Sequence, residues 1–117
     1  MPKSVTIYHN PRCSKSRQTL ALIEEQGVEP KIVKYLETPP TAAELKRVLK
    51  KLELKTRDIL RKGEAIYAEL GLQDPNLKDD ALISAMVANP ILIERPIVVS
   101  GDKAALGRPP EAVLEIL

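Results

Sequence analysis

Hydrophobic positions change their spacing several times along the chain, and each change marks an element. Ser4-Val5-Thr6-Ile7-Tyr8 is β-branched and aromatic, closes at Asn10-Pro11, and predicts a strand over Ser4–Tyr8. From Ser14 to Gln26 helix formers dominate, with Leu20, Leu22 and Ile23 as the apolar side and Gly27 placed to stop the helix. Lys31 to Leu36 alternates again and predicts a second strand. A crossover of that length makes the two strands parallel. Pro39-Pro40 then punctuates the chain, and Thr41-Ala42-Ala43-Glu44 is a capping box. Leu45, Val48, Leu49 and Leu52 follow on one helical face. Shorter helical stretches are expected around Thr56–Arg61 and Ala65–Leu70, the latter ended by Gly71. Asp79-Asp80 opens another helix, with Leu82, Ile83, Met86 and Val87 inward, and Asn89-Pro90 stops it. Pro96–Ser100, Gly101-Asp102 and Ala104–Leu106 read as a strand, a tight turn and a strand. Pro109-Pro110-Glu111 opens a last helix expected to bury Val113, Leu114 and Leu117.

The order is βαβ, then helices, then ββα. It predicts an α/β chain with a thioredoxin-like, mixed four-stranded sheet: one domain over residues 1–117 with a helical insert at about 41–89. A flavodoxin-like parallel sheet needs further strands, and the insert has almost no strand character. Composition narrows the function. The chain has 117 residues, 18 Lys+Arg against 16 Asp+Glu for a net charge of +2, and is 44% hydrophobic. That apolar content is too high for disorder, and the near balance of charge leaves no footprint for nucleic acid. The single Cys excludes an internal disulfide and a multi-cysteine zinc site, and no metal site is expected. Met1-Pro2-Lys3 is not followed by an apolar leader, and Ile91–Val99, broken by Glu94 and Arg95, is too short to span a membrane. A cytoplasmic monomer is the expectation.

Chemistry concentrates in His9-Asn10-Pro11-Arg12-Cys13-Ser14-Lys15-Ser16-Arg17, the join between first strand and first helix. Cys13 falls at the helix N-cap, where unpaired N–H groups and the positive end of the helix dipole favour a thiolate over a thiol. His9, Arg12, Lys15 and Arg17 supply cations, so an ionised sulfur at neutral pH is predicted in place of a buried inert thiol. His9 is expected to support that thiolate; Ser14 and Ser16 cap the helix, or hydrogen-bond the sulfur. An anionic substrate fits, and Arg suits a tetrahedral oxyanion through its planar fork. Arg61, Arg95 and Arg108 lie beyond Arg17, with Arg95 just before the third strand and Arg108 just after the fourth. A Cys-x5-Arg phosphatase fails by counting, because Thr19 stands six residues after Cys13. A dithiol oxidoreductase fails because the run is Cys13-Ser14-Lys15-Ser16. One thiol cannot complete a two-electron reduction alone, so an external thiol such as glutathione is required.

These residues resemble the glutaredoxin-dependent arsenate reductases and their relatives, which include the Spx-type regulators. The likeness runs over essentially the whole chain: His9-Asn10-Pro11-Arg12-Cys13 with Ser16-Arg17, Tyr35–Pro40, Leu60-Arg61-Lys62, Asn89-Pro90-Ile91-Leu92, Glu94–Val99 and Arg108-Pro109. Its motif looks most like a shorter chromosomal subgroup. The resemblance implies that Cys13 attacks arsenate with His9 influencing its ionisation, and that Arg61, Arg95 and Arg108 hold the oxyanion, with Arg17 and Ser16 also at the substrate. It implies glutathione as co-substrate, no bound cofactor, glutaredoxin as the reducing partner, and Pro96 in the place of a cis-proline. Two other readings stand beside it. An Spx-like redox-responsive regulator shares the fold, but Ser16 occupies the second Cys position of the usual switch. A monothiol glutathione-linked oxidoreductase needs Cys13 but none of the arginines.

Overall fold

The computed structural model describes residues 4–117, so the Met1-Pro2-Lys3 start read above lies outside the described residues. The chain forms two compact units, one made of the chain up to Thr38 together with Arg95–Leu117, the other of Pro39–Glu94. The first unit carries the sheet. It contains β1 (Val5–Tyr8), α1 (Ser14–Glu25), β2 (Lys31–Val33), β3 (Ile97–Ser100), β4 (Lys103–Leu106) and a 3₁₀ segment, Pro110–Ile116. The strand order is β2-β1-β3-β4, with β1 and β2 parallel and the other pairs antiparallel. This is the mixed four-stranded, thioredoxin-like sheet expected from the pattern.

Strand alternation puts Val5, Ile7 and Val98 on one face, where they pack with Ile23 of α1 and with Val113. Ile7 pairs with Ile32 on one side and Val98 on the other, while Ile97 faces both Tyr8 and Leu106. That register brings the C-terminal ends of β1, β2 and β4 and the start of β3 to one end of the sheet. The residues singled out at 9–17, 95–96 and 108 therefore converge there.

Three details depart from the expected pattern. The second strand ends at Val33, not Leu36, because the N–H groups of Glu37 and Thr38 both donate to the Lys34 carbonyl, at 2.9 Å each. β2 is an edge strand with one neighbour, so no second ladder opposes that turn. Tyr35 is pulled inside and Leu36 is left 40% exposed. The last element is 3₁₀, and three residues per turn line up Pro110, Val113 and Ile116. Leu114, expected inside, is 38% exposed as a result, while Leu117 does pack on the core. In α1 the buried stripe is Ser16, Thr19 and Ile23, with Leu20 and Leu22 only partly covered.

Gly107 shows how closely β4 and α1 approach at that end. A Cβ there would lie 2.5 Å from Thr19 Oγ1 and 2.6 Å from Pro96 Cγ. Its N–H donates to the Pro96 carbonyl at 2.9 Å. Gly107→Ala is expected to cost ~1–3 kcal/mol through overpacking, read as a fall of several degrees in the thermal midpoint.

The second unit is helical. α2 (Ala42–Leu52) opens on Thr41, whose Oγ1 accepts the Glu44 N–H at 3.1 Å, and buries Leu45, Val48 and Leu49. A 3₁₀ turn (Thr56–Ile59), α3 (Ala65–Glu69), α4 (Asp79–Ala88) and a second 3₁₀ turn (Pro90–Leu92) follow. α4 buries Leu82, Ile83 and Met86. Arg57 donates to the Leu72 carbonyl at 2.9 Å and ties the α3 region to the first 3₁₀ turn. A single antiparallel bridge, Leu60 with Ile93, is extended by Arg61 N–H to Leu92 O at 2.8 Å and Glu94 N–H to Ile59 O at 2.7 Å.

Candidate active site

Cys13 is the N-cap of α1, in extended conformation, with its N–H donating to the Asn10 carbonyl at 3.0 Å and its carbonyl accepting the Arg17 N–H. The loop before it is held on both sides. Arg12 N–H donates to Asn10 Oδ1 at 3.0 Å, and Arg17 Nη1 donates to the Pro11 carbonyl at 2.8 Å. Cys13 is a free, partly buried thiol. Burial pushes its pKa up, but other contributions outweigh it and leave the pKa below that of an ordinary thiol. They are the backbone N–H of Ser16, the charge of Arg95, the backbone N–H of Lys15, and a side-chain hydrogen bond from Arg95. The sulfur makes no regular side-chain cap bond, so the helix acts on it mainly as N–H dipoles aimed at a negative charge.

His9 is held against Ser16. Its ring is buried, and Nδ1 lies 2.6 Å from Ser16 Oγ, which also accepts the Asn10 N–H at 3.0 Å. Burial, followed by the charges of Lys34 and Arg17, lowers its pKa. The lowered pKa favours the neutral ring at pH 7, with Nδ1 and the Ser16 hydroxyl sharing one hydrogen bond. His9 was counted among the cations around the sulfur; that charge is absent because the ring is desolvated beside two cations. Ser16, expected to cap the helix or bond the sulfur and to lie at the substrate, is fully buried in this network and presents its backbone N–H to Cys13.

The arginines divide between the two units. Arg95 and Arg108 meet: Arg108 Nε donates to the Arg95 carbonyl at 2.9 Å, and Arg95 Nε and Nη1 are shielded from solvent. The Arg95-Pro96 and Arg108-Pro109 bonds are both cis, the first of them as the resemblance implied. Arg17 spends Nη1 on the loop at Pro11. Arg61 belongs to the helical unit, beside the Leu60–Ile93 bridge, with Nη1 3.6 Å from Glu64. Among the described residues no cluster of His, Cys, Asp or Glu could hold a metal ion, and no helix is long and apolar enough to cross a membrane.

Residues 8–116, which include every residue of this constellation, match the ArsC family. The chain belongs to that family. A solved arsenate reductase from Vibrio cholerae superposes on this ArsC-family chain with a TM-score of 0.97, at 57% identity and over the full length of both. An uncharacterized protein of Escherichia coli K12, YfgD, is 58% identical over 118 residues, all of this chain and 99% of the relative. The arsenate reductase of Neisseria meningitidis serogroup A is 50% identical over the full length of both.

Sequence reasoning missed two contributors to the ArsC-family constellation. Thr19 and Gly107 are in contact range through a missing side chain, and no local motif announces a glycine whose role is a close approach. Thr19 does leave a trace: it stands three residues after Ser16 and four before Ile23, on the face of α1 that the structure buries.

Proposed function

We propose that the protein reduces arsenate to arsenite, with Cys13 as nucleophile and with glutathione and glutaredoxin supplying the electrons. The observation that carries this reading is a lone sulfur at the N-cap of α1, its ionisation favoured by Arg95, in a chain whose relatives include arsenate reductases. The thiolate attacks arsenic and one arsenate oxygen leaves as water, giving a Cys13–S–As(V) bond. Glutathione displaces a second oxygen as water. The glutaredoxin thiolate then attacks the glutathione sulfur, forming a mixed disulfide. The electron pair of the broken As–S bond stays with arsenic, which becomes As(III). Water cleaves the remaining Cys13–As bond and frees arsenite. Two thiols are oxidised and arsenic gains two electrons, so the balance closes without a second cysteine in this chain.

In this reading Arg95 and Arg108 bind the oxyanion; a role for Arg61 rests on the family likeness alone. Guanidinium groups match its tetrahedral oxygens and stabilise charge as it builds in the transition state. His9 and Ser16 act as positioning residues that hold the Ser16 N–H toward the sulfur, and Arg17 fixes the loop. Pro96 shapes the floor through its contact with Gly107. Glutathione is a co-substrate, and the reaction takes place on a monomer in the cytoplasm, where thiols remain reduced. The test is arsenite formation with glutathione, glutaredoxin and a source of reduced glutathione. Product should require all three of enzyme, glutathione and glutaredoxin. Thiol exchange on mixed disulfides with no arsenate-dependent product would favour a monothiol oxidoreductase instead.

A further inference from the structure

The first unit has a concavity of ≈ 290 Å³ whose wall includes Arg12, the residue before Cys13. His9, Asn10, Pro11 and Arg12 form one wall, and Lys34, Leu36 and Glu37 form the other. The volume lies near the lower end of the ~300–1,000 Å³ typical of small-molecule sites. It is far larger than a tetraoxo anion needs. Its location follows from topology: β1 and β2 are parallel, and the cleft opens beyond their C-terminal ends, where open α/β sheets collect ligands.

Both walls are built, not loose. On one, the turn at Lys34–Thr38 is closed by two N–H donors on the Lys34 carbonyl and anchored by Tyr35, which is 1% exposed. The other is fixed by the hydrogen bonds of Arg12 and Cys13 N–H to Asn10. The early end of β2 is what turns Leu36 and Glu37 outward to make the wall. Among the described residues no ion pair engages Arg12, Lys34 or Glu37. The cleft thus offers two cations, one carboxylate and an apolar edge, and its wall at Arg12 adjoins Cys13 in the chain. A phosphate-rich ligand would meet Glu37 with like charge. A zwitterionic peptide with carboxylates and an ammonium group matches all three.

The geometry points to this cleft as the subsite for glutathione, its two carboxylates toward Arg12 and Lys34, its ammonium toward Glu37, and its sulfur delivered past Arg12 to Cys13. The identity of the thiol rests on the arsenate-reductase reading above; the shape and charge of the cleft do not.

S-Methylglutathione, whose sulfur is blocked, tests the subsite without requiring turnover. Titrated into the wild-type protein, it should shift backbone amide signals at 9–13 and 34–37. Lys34→Glu, on an exposed side chain, should weaken that binding about tenfold and raise the KM for glutathione by a similar factor, with no matching rise in the KM for arsenate. Signals that move only elsewhere, or an unchanged dissociation constant in Lys34→Glu, would overturn the assignment. Binding in the cleft by a protein that makes no arsenite would leave the subsite standing and remove the arsenate reading. Arsenite formation without binding here would do the reverse.

Discussion

Cys13→Ser is expected to bring arsenate-dependent reduction down to the rate without enzyme, a loss on the order of 10³-fold or more. The argument is chemical. The N–H groups of Ser16 and Lys15 and the charge of Arg95 favour an anion at this position, but an alcohol lies too far from ionisation for them to make it a nucleophile at neutral pH. Without sulfur there is also no Cys13–As bond for glutathione to meet. The loss will not come from unfolding. Ser is among the preferred N-cap residues, and its hydroxyl can accept an N–H bond that the Cys13 side chain does not make in regular geometry. The thermal midpoint of Cys13→Ser should therefore equal or exceed that of the wild type. An inactive variant of undiminished stability separates a chemical role for Cys13 from a structural one.

Arg95→Ala carries the second-largest expected effect, a fall in kcat/KM for arsenate of ~10²–10³-fold. Arg95 serves twice. It acts on the sulfur by charge and by hydrogen bond, so its loss raises the Cys13 pKa and shrinks the thiolate fraction at pH 7. It also stands with Arg108 at the start of β3, where the proposed mechanism holds the oxyanion. Arg95→Lys should recover part of the first effect and little of the second, because an ammonium keeps the charge and loses the planar fork. Steady-state kinetics at two pH values would resolve the parts. Raising the pH should restore the thiolate fraction in Arg95→Ala but not its weakened hold on arsenate.

How much of this was legible in the sequence depended on whether a feature was local. β1 and α1 could be placed from Val5–Tyr8, from the helix formers after Ser14 and from Gly27, because each signal sits within its own element. Cys13 at the N-cap was legible for the same reason. The end of β2 was not: the alternation through Tyr35 was present, but a turn on the Lys34 carbonyl took the chain out of the sheet. Leu114 was misplaced because a 3.6-residue period was applied to a segment that winds with three. His9 was misjudged on charge, since its neutrality comes from burial and from Lys34, which is distant in sequence. Ser16 and Thr19 share the spacing of Ile23, but as polar residues they point inward only once α1 is docked. The meeting of Arg95 with Arg108 followed from strand order, whereas the hydrogen bond joining them did not.

The most direct test of the central claim is the pH dependence of Cys13 alkylation by iodoacetamide, followed in parallel by thiolate absorbance in the ultraviolet. A single free sulfur makes the readout unambiguous. The account predicts one titration with a midpoint below the ~8.5 of an ordinary cysteine, moving upward in Arg95→Ala. A midpoint at or above that of an ordinary cysteine, or one indifferent to Arg95, would contradict it.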